Sequence, residues 1–173
     1  MRTLVTLLAL LGTLCSNGSL ANALQVGDRA PDFELPGTDG NTHTLVAADN
    51  SWLVVAWFPK AYTSGCTIEC KSLAENGHLL SKYNVRYYMA SVDALADNQG
   101  FAAQQDADFP LLSDTSKRVA EQFGVLSAGG YAKRHTFYMN AEGTIVAIDR
   151  NVQPSTSAED MAAMLAKLEA PRR

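Results

Sequence analysis

The chain reads as an α/β protein: a mixed central sheet flanked by helices, with a strand or hairpin extension at its N-terminal side. Three observations predict this. Residues 52–58, Trp-Leu-Val-Val-Ala-Trp-Phe, form a continuous apolar run, as a strand buried on both faces requires. Downstream, strand-like runs alternate with segments whose apolar residues recur at helical spacing. The chain then finishes on two short strand-like runs around a turn and a final helical segment, which adds an antiparallel hairpin to a parallel core.

Each element has a local reason. Residues 24–46 carry Gly-Asp, Pro-Gly and Asp-Gly-Asn punctuation between short apolar stretches, the pattern of one or two short strands with turns. Pro59 ends the apolar strand at residues 52–58. Residues 67–83 place Ile68, Leu73, Leu79, Leu80 and Tyr83 among polar residues and read as a helix. Residues 85–92 are the next strand, 94–107 a helix and 109–112 a short extended piece. Residues 116–123 form a helix with Gly124 at its C-terminal end. Residues 135–139 and 144–148 are strands around the turn at 140–143. Ser157 opens the last helix, with Asp160 three residues later in place of the usual capping-box Glu.

The first 23 residues read as an export signal: Arg2, an apolar run from Leu4 to Leu14, and the small-x-small site Ala21-Asn22-Ala23. The run is too short to span a bilayer. Cleavage before Leu24 leaves residues 24–173 as one domain and moves the net charge from −4 to −5. Cys15 falls within the signal; Leu14 before it is bulky where lipid-modified cysteines follow a small residue. The expected location is exported, the periplasm first and secretion as the alternative. A mildly acidic domain without a basic block gives no reason to expect nucleic acid, and no second apolar run suggests a membrane. Two cysteines remain, Cys66 and Cys70. They are too close in sequence to staple much chain, so their value is chemical.

The chemistry concentrates in Pro59-x-x-x-Thr63-x-x-Cys66, which follows the apolar strand directly. A free cysteine, with a pKa near 8.5, is only about 3% thiolate at pH 7. Lowering such a pKa to about 6 takes about 3.4 kcal/mol of preferential anion stabilisation. A helix start offers unsatisfied N–H groups and a positive dipole end, and Lys60, Lys71 or the distant Arg134 could add a cation. The Thr63 hydroxyl can donate to and accept from a small polar substrate. Pro59 has no N–H and can wall off the sulfur, and Gly65 permits close backbone approach.

Residues 59–67, Pro-Lys-Ala-Tyr-Thr-Ser-Gly-Cys-Thr, resemble the active-site loop of peroxiredoxins, most of all the Q-type, bacterioferritin-comigratory-protein-like branch. The segments at 27–33, 109–114 and 134–137 are similar to the family's other signature runs and follow in the same order. The resemblance implies a thioredoxin-like fold and thiol-dependent reduction of hydrogen peroxide or organic hydroperoxides through a cysteine sulfenic acid. It implies no metal or organic cofactor. A hydroperoxide and a thioredoxin-like or other thiol reductant would be the partners of a monomer or weak dimer. Cys66 would be the peroxidatic cysteine, Thr63 would hold the peroxide, Pro59 would shield the sulfur, Arg134 would stabilise the charges and Glu69 would orient Arg134.

Two departures stand out. Ser64 replaces the branch's usual proline, and Cys70 lies four residues after Cys66 rather than five. On an intact helix i and i+4 Cβ atoms lie about 5–6 Å apart, whereas a disulfide needs about 3.5–4.5 Å. Cys70 is therefore either a resolving thiol that acts once the helix start unwinds, or a small buried hydrophobe. Two other readings compete. Cys66, Cys70 and His135 resemble the ligand set of exported copper-delivery proteins on the same fold, which soft thiolates and imidazole would suit. A thioredoxin-type disulfide reductase would want Cys-x-x-Cys, one residue shorter than the spacing here.

Overall fold

The apolar run after residue 51 becomes β3 (Trp52–Trp57), the central strand of the molecule. A computed structural model describes residues 23–46 and 49–173. The export signal and Cys15 fall in the remainder, so the expectation for them lies outside the described residues, apart from Ala23.

β3 is flanked by β4 (Val85–Ser91), which runs parallel to it, and by β6 (His135–Met139), which runs antiparallel. β5 (Leu111–Ser113) extends the parallel side and β7 (Ile145–Asp149) the antiparallel side, giving the order β5-β4-β3-β6-β7. The mixed sheet expected from the sequence is thus present. β1 (Glu34–Pro36) and β2 (Thr42–Thr44) pair as a separate antiparallel hairpin, the expected N-terminal extension.

Because β3 is buried on both faces, its alternating side chains serve two cores. Val54 and Ala56 face a cluster shared with Cys66, Cys70 and Leu73 of α1 (Ser64–Asn76), Phe101 of α2 (Leu95–Gln104), and Met161 and Leu165 of α4 (Ser157–Lys167). Leu53, Val55 and Trp57 face the other cluster, with Val119 of α3 (Arg118–Gln122), Phe123, Phe137 and residues of the N-terminal extension. Phe123 and Phe137 meet edge to face at 5.1 Å between centroids. Truncating such a buried ring to alanine costs roughly 3–5 kcal/mol, which is a large share of the stability of an ordinary domain.

Both ends of α1 differ from expectation. α1 begins at Ser64 rather than Thr67, with Thr63 in extended conformation before it (φ −81°, ψ 150°). Cys66 is therefore the third helical residue. α1 also ends at Asn76, and a 3₁₀ turn at Gly77–Leu80 follows. A side chain at Gly77 would overlap the Tyr87 hydroxyl, so the glycine that weakens the helix also makes room for that ring. At α4 the expected capping box is absent: Ser157 is already helical, buried and without a hydrogen-bond partner for Oγ, and Asp160 accepts instead from Thr156 Oγ1 at 2.7 Å.

Candidate active site

β3 and β4 are parallel, so their C-terminal ends open on the same edge of the sheet, where the loop from β3 to α1 begins. Phe58 N still bonds Ala90 O at 2.9 Å. Pro59, half-buried and without a donor, ends the ladder there. The chain then turns through Lys60, Ala61, Tyr62 and Thr63 before α1 starts.

Cys66 sits in the first turn of α1 with no exposed surface. The first turn carries no acidic residue, and Thr63 makes no side-chain cap to it. The positive end of the helix is thus not neutralised by its own sequence. The Thr63 hydroxyl turns back instead and donates to Lys60 O at 2.9 Å.

Of the three candidate cations, Arg134 is the one that reaches the sulfur. Its Nη2 donates to Cys66 Sγ at 3.2 Å, and its Nη1 forms an ion pair with Glu69 Oε2. Lys71 pairs instead with Glu75 across the helix surface at 3.6 Å, and Lys60 is exposed. The β3–β6 register explains the selection. Trp57 pairs with His135, so Arg134 falls level with the end of β3, beside the start of α1. Gly65 belongs to the same arrangement, since a Cβ there would stand 3.2 Å from Arg134 Nη2.

Glu69 has no exposed surface, and Arg134 is its partner. Burial pushes the Glu69 carboxyl up to about 7, against the lowering effect of Arg134. Burial also opposes the charge of Arg134, but Glu69 and the sulfur together hold that group above its usual value. Cys70, one turn after Cys66, is a free thiol without exposed surface. Burial, then Glu69, then Cys66 push it up to about 12, so it is a thiol and a poor nucleophile in this state.

The copper ligand set does not assemble. Cys66 and Cys70 belong to the core on one face of the sheet. His135 shares the strand face of Phe137, which belongs to the opposite core, and lines a cavity there with Phe123 and Arg150. No group of three potential ligands is present among the described residues.

Three features in and around the loop were not legible in the sequence. Asp93, just past the end of β4, accepts from Ala61 N at 2.9 Å. Tyr62 adopts the left-handed region (φ 65°), which costs a non-glycine residue about 1–2 kcal/mol. Gly100, in mid-helix, costs α2 roughly 0.5–1 kcal/mol relative to alanine. The available signal was the parallel β3–β4 pairing, which brings residues just past both strand ends together.

A cysteine closed in at a helix start, gripped by an internally paired arginine and preceded by a hydroxyl loop, defines a thiol-dependent peroxidase of thioredoxin-like fold. Comparison with known proteins agrees. The chain is 34% identical over 131 residues to Peroxiredoxin Bcp of Escherichia coli K12, covering 72% of this chain and 84% of that one. Peroxidoxin BcpB of Mycobacterium tuberculosis superposes with a TM-score of 0.74 at 27% identity, over 83% of this chain and 97% of that one. The Xanthomonas campestris bacterioferritin comigratory protein, described with alkyl peroxide reduction activity, gives 0.70 at 26% identity, over 78% and 90%. The AhpC/TSA family matches residues 26–148, and this chain belongs to that family.

The raised Glu69 carboxyl gives a pH signature. Between its ordinary 4.5 and about 7 the folded chain holds a proton that the unfolded chain has lost. The contribution of this group to stability is full below 4.5 and is lost as pH rises to about 7. Over that window the Arg134 ion pair gains its negative partner. The rate of Cys66 oxidation by peroxide should therefore climb through about 7, and Glu69→Gln should remove that limb. Stopped-flow rates across the neutral range check this; a profile unchanged by the substitution contradicts it.

Proposed function

We propose that the chain reduces hydrogen peroxide and organic hydroperoxides at Cys66 and that Cys70 resolves the product. The observation that carries the reading is Arg134 donating to Cys66 Sγ at 3.2 Å while Glu69 holds the other guanidinium nitrogen. A cation so placed favours anionic sulfur and lies where charge develops on the departing oxygen.

The Thr63 hydroxyl already donates its hydrogen bond to Lys60 O, so its lone pairs are what an incoming hydroperoxide O–H meets. Thr63 and Ser64 are exposed residues of the loop and helix start just before Cys66. Because Cys66 is enclosed, a hydroperoxide reaches it through a shift of that lip. The thiolate attacks the terminal, hydrogen-bearing oxygen. An S–O bond forms, the O–O bond breaks, and the alkoxide leaves and takes a proton from solvent. The sulfur is oxidised to sulfenic acid and the peroxide reduced to an alcohol, or to water for hydrogen peroxide. The Cys70 thiol then displaces water from Cys66–SOH to form a disulfide, which a thioredoxin-like dithiol reduces.

Resolution by Cys70 needs the start of α1 to unwind. The absent side-chain cap and Gly65 in the first turn make that turn the weakest of the helix. A second reading is favoured by the burial of Cys70 and its thiol held near 12: an external thiol attacks Cys66–SOH directly. Turnover with a dithiol reductant should vanish in Cys66→Ser. Mass spectrometry after one equivalent of peroxide should show an internal disulfide in the wild type and a persisting sulfenic acid in Cys70→Ser. A stable sulfenic acid in the wild type selects the second reading, and turnover by Cys66→Ser overturns both.

The export signal read at residues 1–23 supports a periplasmic enzyme, its domain at 24–173, whose reductant must be exported too. Expressed whole in a Gram-negative host, the protein should appear in the periplasmic fraction with Leu24 at its N-terminus. Recovery from the cytosol with an intact leader contradicts this.

A further inference from the structure

The loop that carries Thr63 is not held by α1 or by the sheet alone. Its backbone is tied to the segment from Asp93 to Phe101, which the peroxidase chemistry does not use. Asp93 Oδ2 accepts from Ala61 N at 2.9 Å. Tyr62, in its left-handed conformation, donates from its hydroxyl to Asp97 O at 3.2 Å. Its ring stands edge-on against Phe101 at 5.4 Å, and Phe101 also meets Phe58, just before the loop, at 6.0 Å. A Cβ on Gly100 would lie 2.5 Å from the Tyr62 hydroxyl.

Two locally unfavourable choices therefore coincide in one contact. Tyr62 occupies a backbone region disfavoured for non-glycine residues, and Gly100 interrupts a helix where alanine would be better. Neither serves its own element. Together they let the tyrosine lie across α2, with the next residue, Thr63, presented at the helix start.

We propose that Asp93, Tyr62 and Gly100 form a clamp that positions the peroxide-binding loop, with Asp93 as its principal positioning residue. The proposal rests on the reading of Thr63 and Cys66 as the peroxide site. The hydrogen bond to Ala61 N needs a carbonyl-type acceptor rather than a charge, so asparagine can replace Asp93 and alanine cannot. Gly100→Ala attacks the same clamp from the far side, by displacing the Tyr62 hydroxyl.

Two measurements test this. Asp93→Ala and Gly100→Ala should lower the second-order rate constant for Cys66 oxidation by hydrogen peroxide by about tenfold to a hundredfold. Asp93→Asn should stay within about threefold of wild type. Hydrogen exchange of amides 60–64 should accelerate in the two disabling variants and not in Asp93→Asn, while exchange in α4 stays unchanged and reports an intact fold. The exchange arm needs no peroxide, so it reads the clamp even where wild-type Cys66 proves unreactive, an outcome that would overturn the peroxidase reading instead. Unchanged exchange at 60–64 in Asp93→Ala overturns the clamp, as does Asp93→Asn failing like Asp93→Ala.

Discussion

A carboxylate with no access to water, Glu69, fixes one side of the Arg134 guanidinium, and that guanidinium fixes Cys66. The remaining features of the site depend on this line of three. An exposed arginine loses considerable side-chain freedom when it holds one geometry. Here that ordering is completed on folding, because Glu69 is buried and Arg134 is its partner. Leaving Glu69 ionised without Arg134 would strand a buried charge, so the pair holds together through burial more than through surface attraction. The sulfur thus meets a donor that is already oriented, and no reorganisation is needed when charge moves from sulfur to oxygen.

The sheet supplies the distances. Residues 66 and 134 are far apart in sequence, and the antiparallel pairing of β6 with β3 brings them together at one strand end. The parallel pairing of β4 brings Asp93 to the same edge from the other side. β3 therefore stands between a cation delivered by one neighbour and a carboxylate delivered by the other. The cation contacts the Cys66 sulfur; the carboxylate contacts the loop beside it. Cys66 and Cys70 share one core and one helix, yet their environments differ. Arg134 donates to the first sulfur, whereas the second meets burial and the Glu69 carboxylate.

Much of this was legible in the sequence. The run at 52–58 read as a doubly buried strand, and the spacing of Pro59, Thr63 and Cys66, with the family resemblance it carries, marked the chemistry. The choice among Lys60, Lys71 and Arg134 was not legible from local pattern, because it depends on strand register. The start of α1 came three residues early because Ser64 and Gly65 carry no apolar periodicity to mark it. His135 looked available beside Arg134, but strand alternation sends neighbours to opposite faces. Ser157 and Asp160 matched a capping pattern that the preceding 3₁₀ turn at Pro154–Thr156 displaced. Asp93 and Tyr62 were hidden because their partners are set by tertiary contact, whereas the family resemblance had marked Arg134.

The central claim is that Arg134 acts on the oxygen leaving group as well as on the sulfur. Arg134→Gln separates the two, because alkylation by iodoacetamide needs the thiolate but develops no charge on a peroxide oxygen. The measurement is the pair of second-order rate constants at Cys66, with hydrogen peroxide and with iodoacetamide, in wild type and Arg134→Gln. The account predicts a fall of about a hundredfold or more with peroxide and a much smaller fall with iodoacetamide. Equal falls with both reagents would show that Arg134 serves only the sulfur and would contradict it.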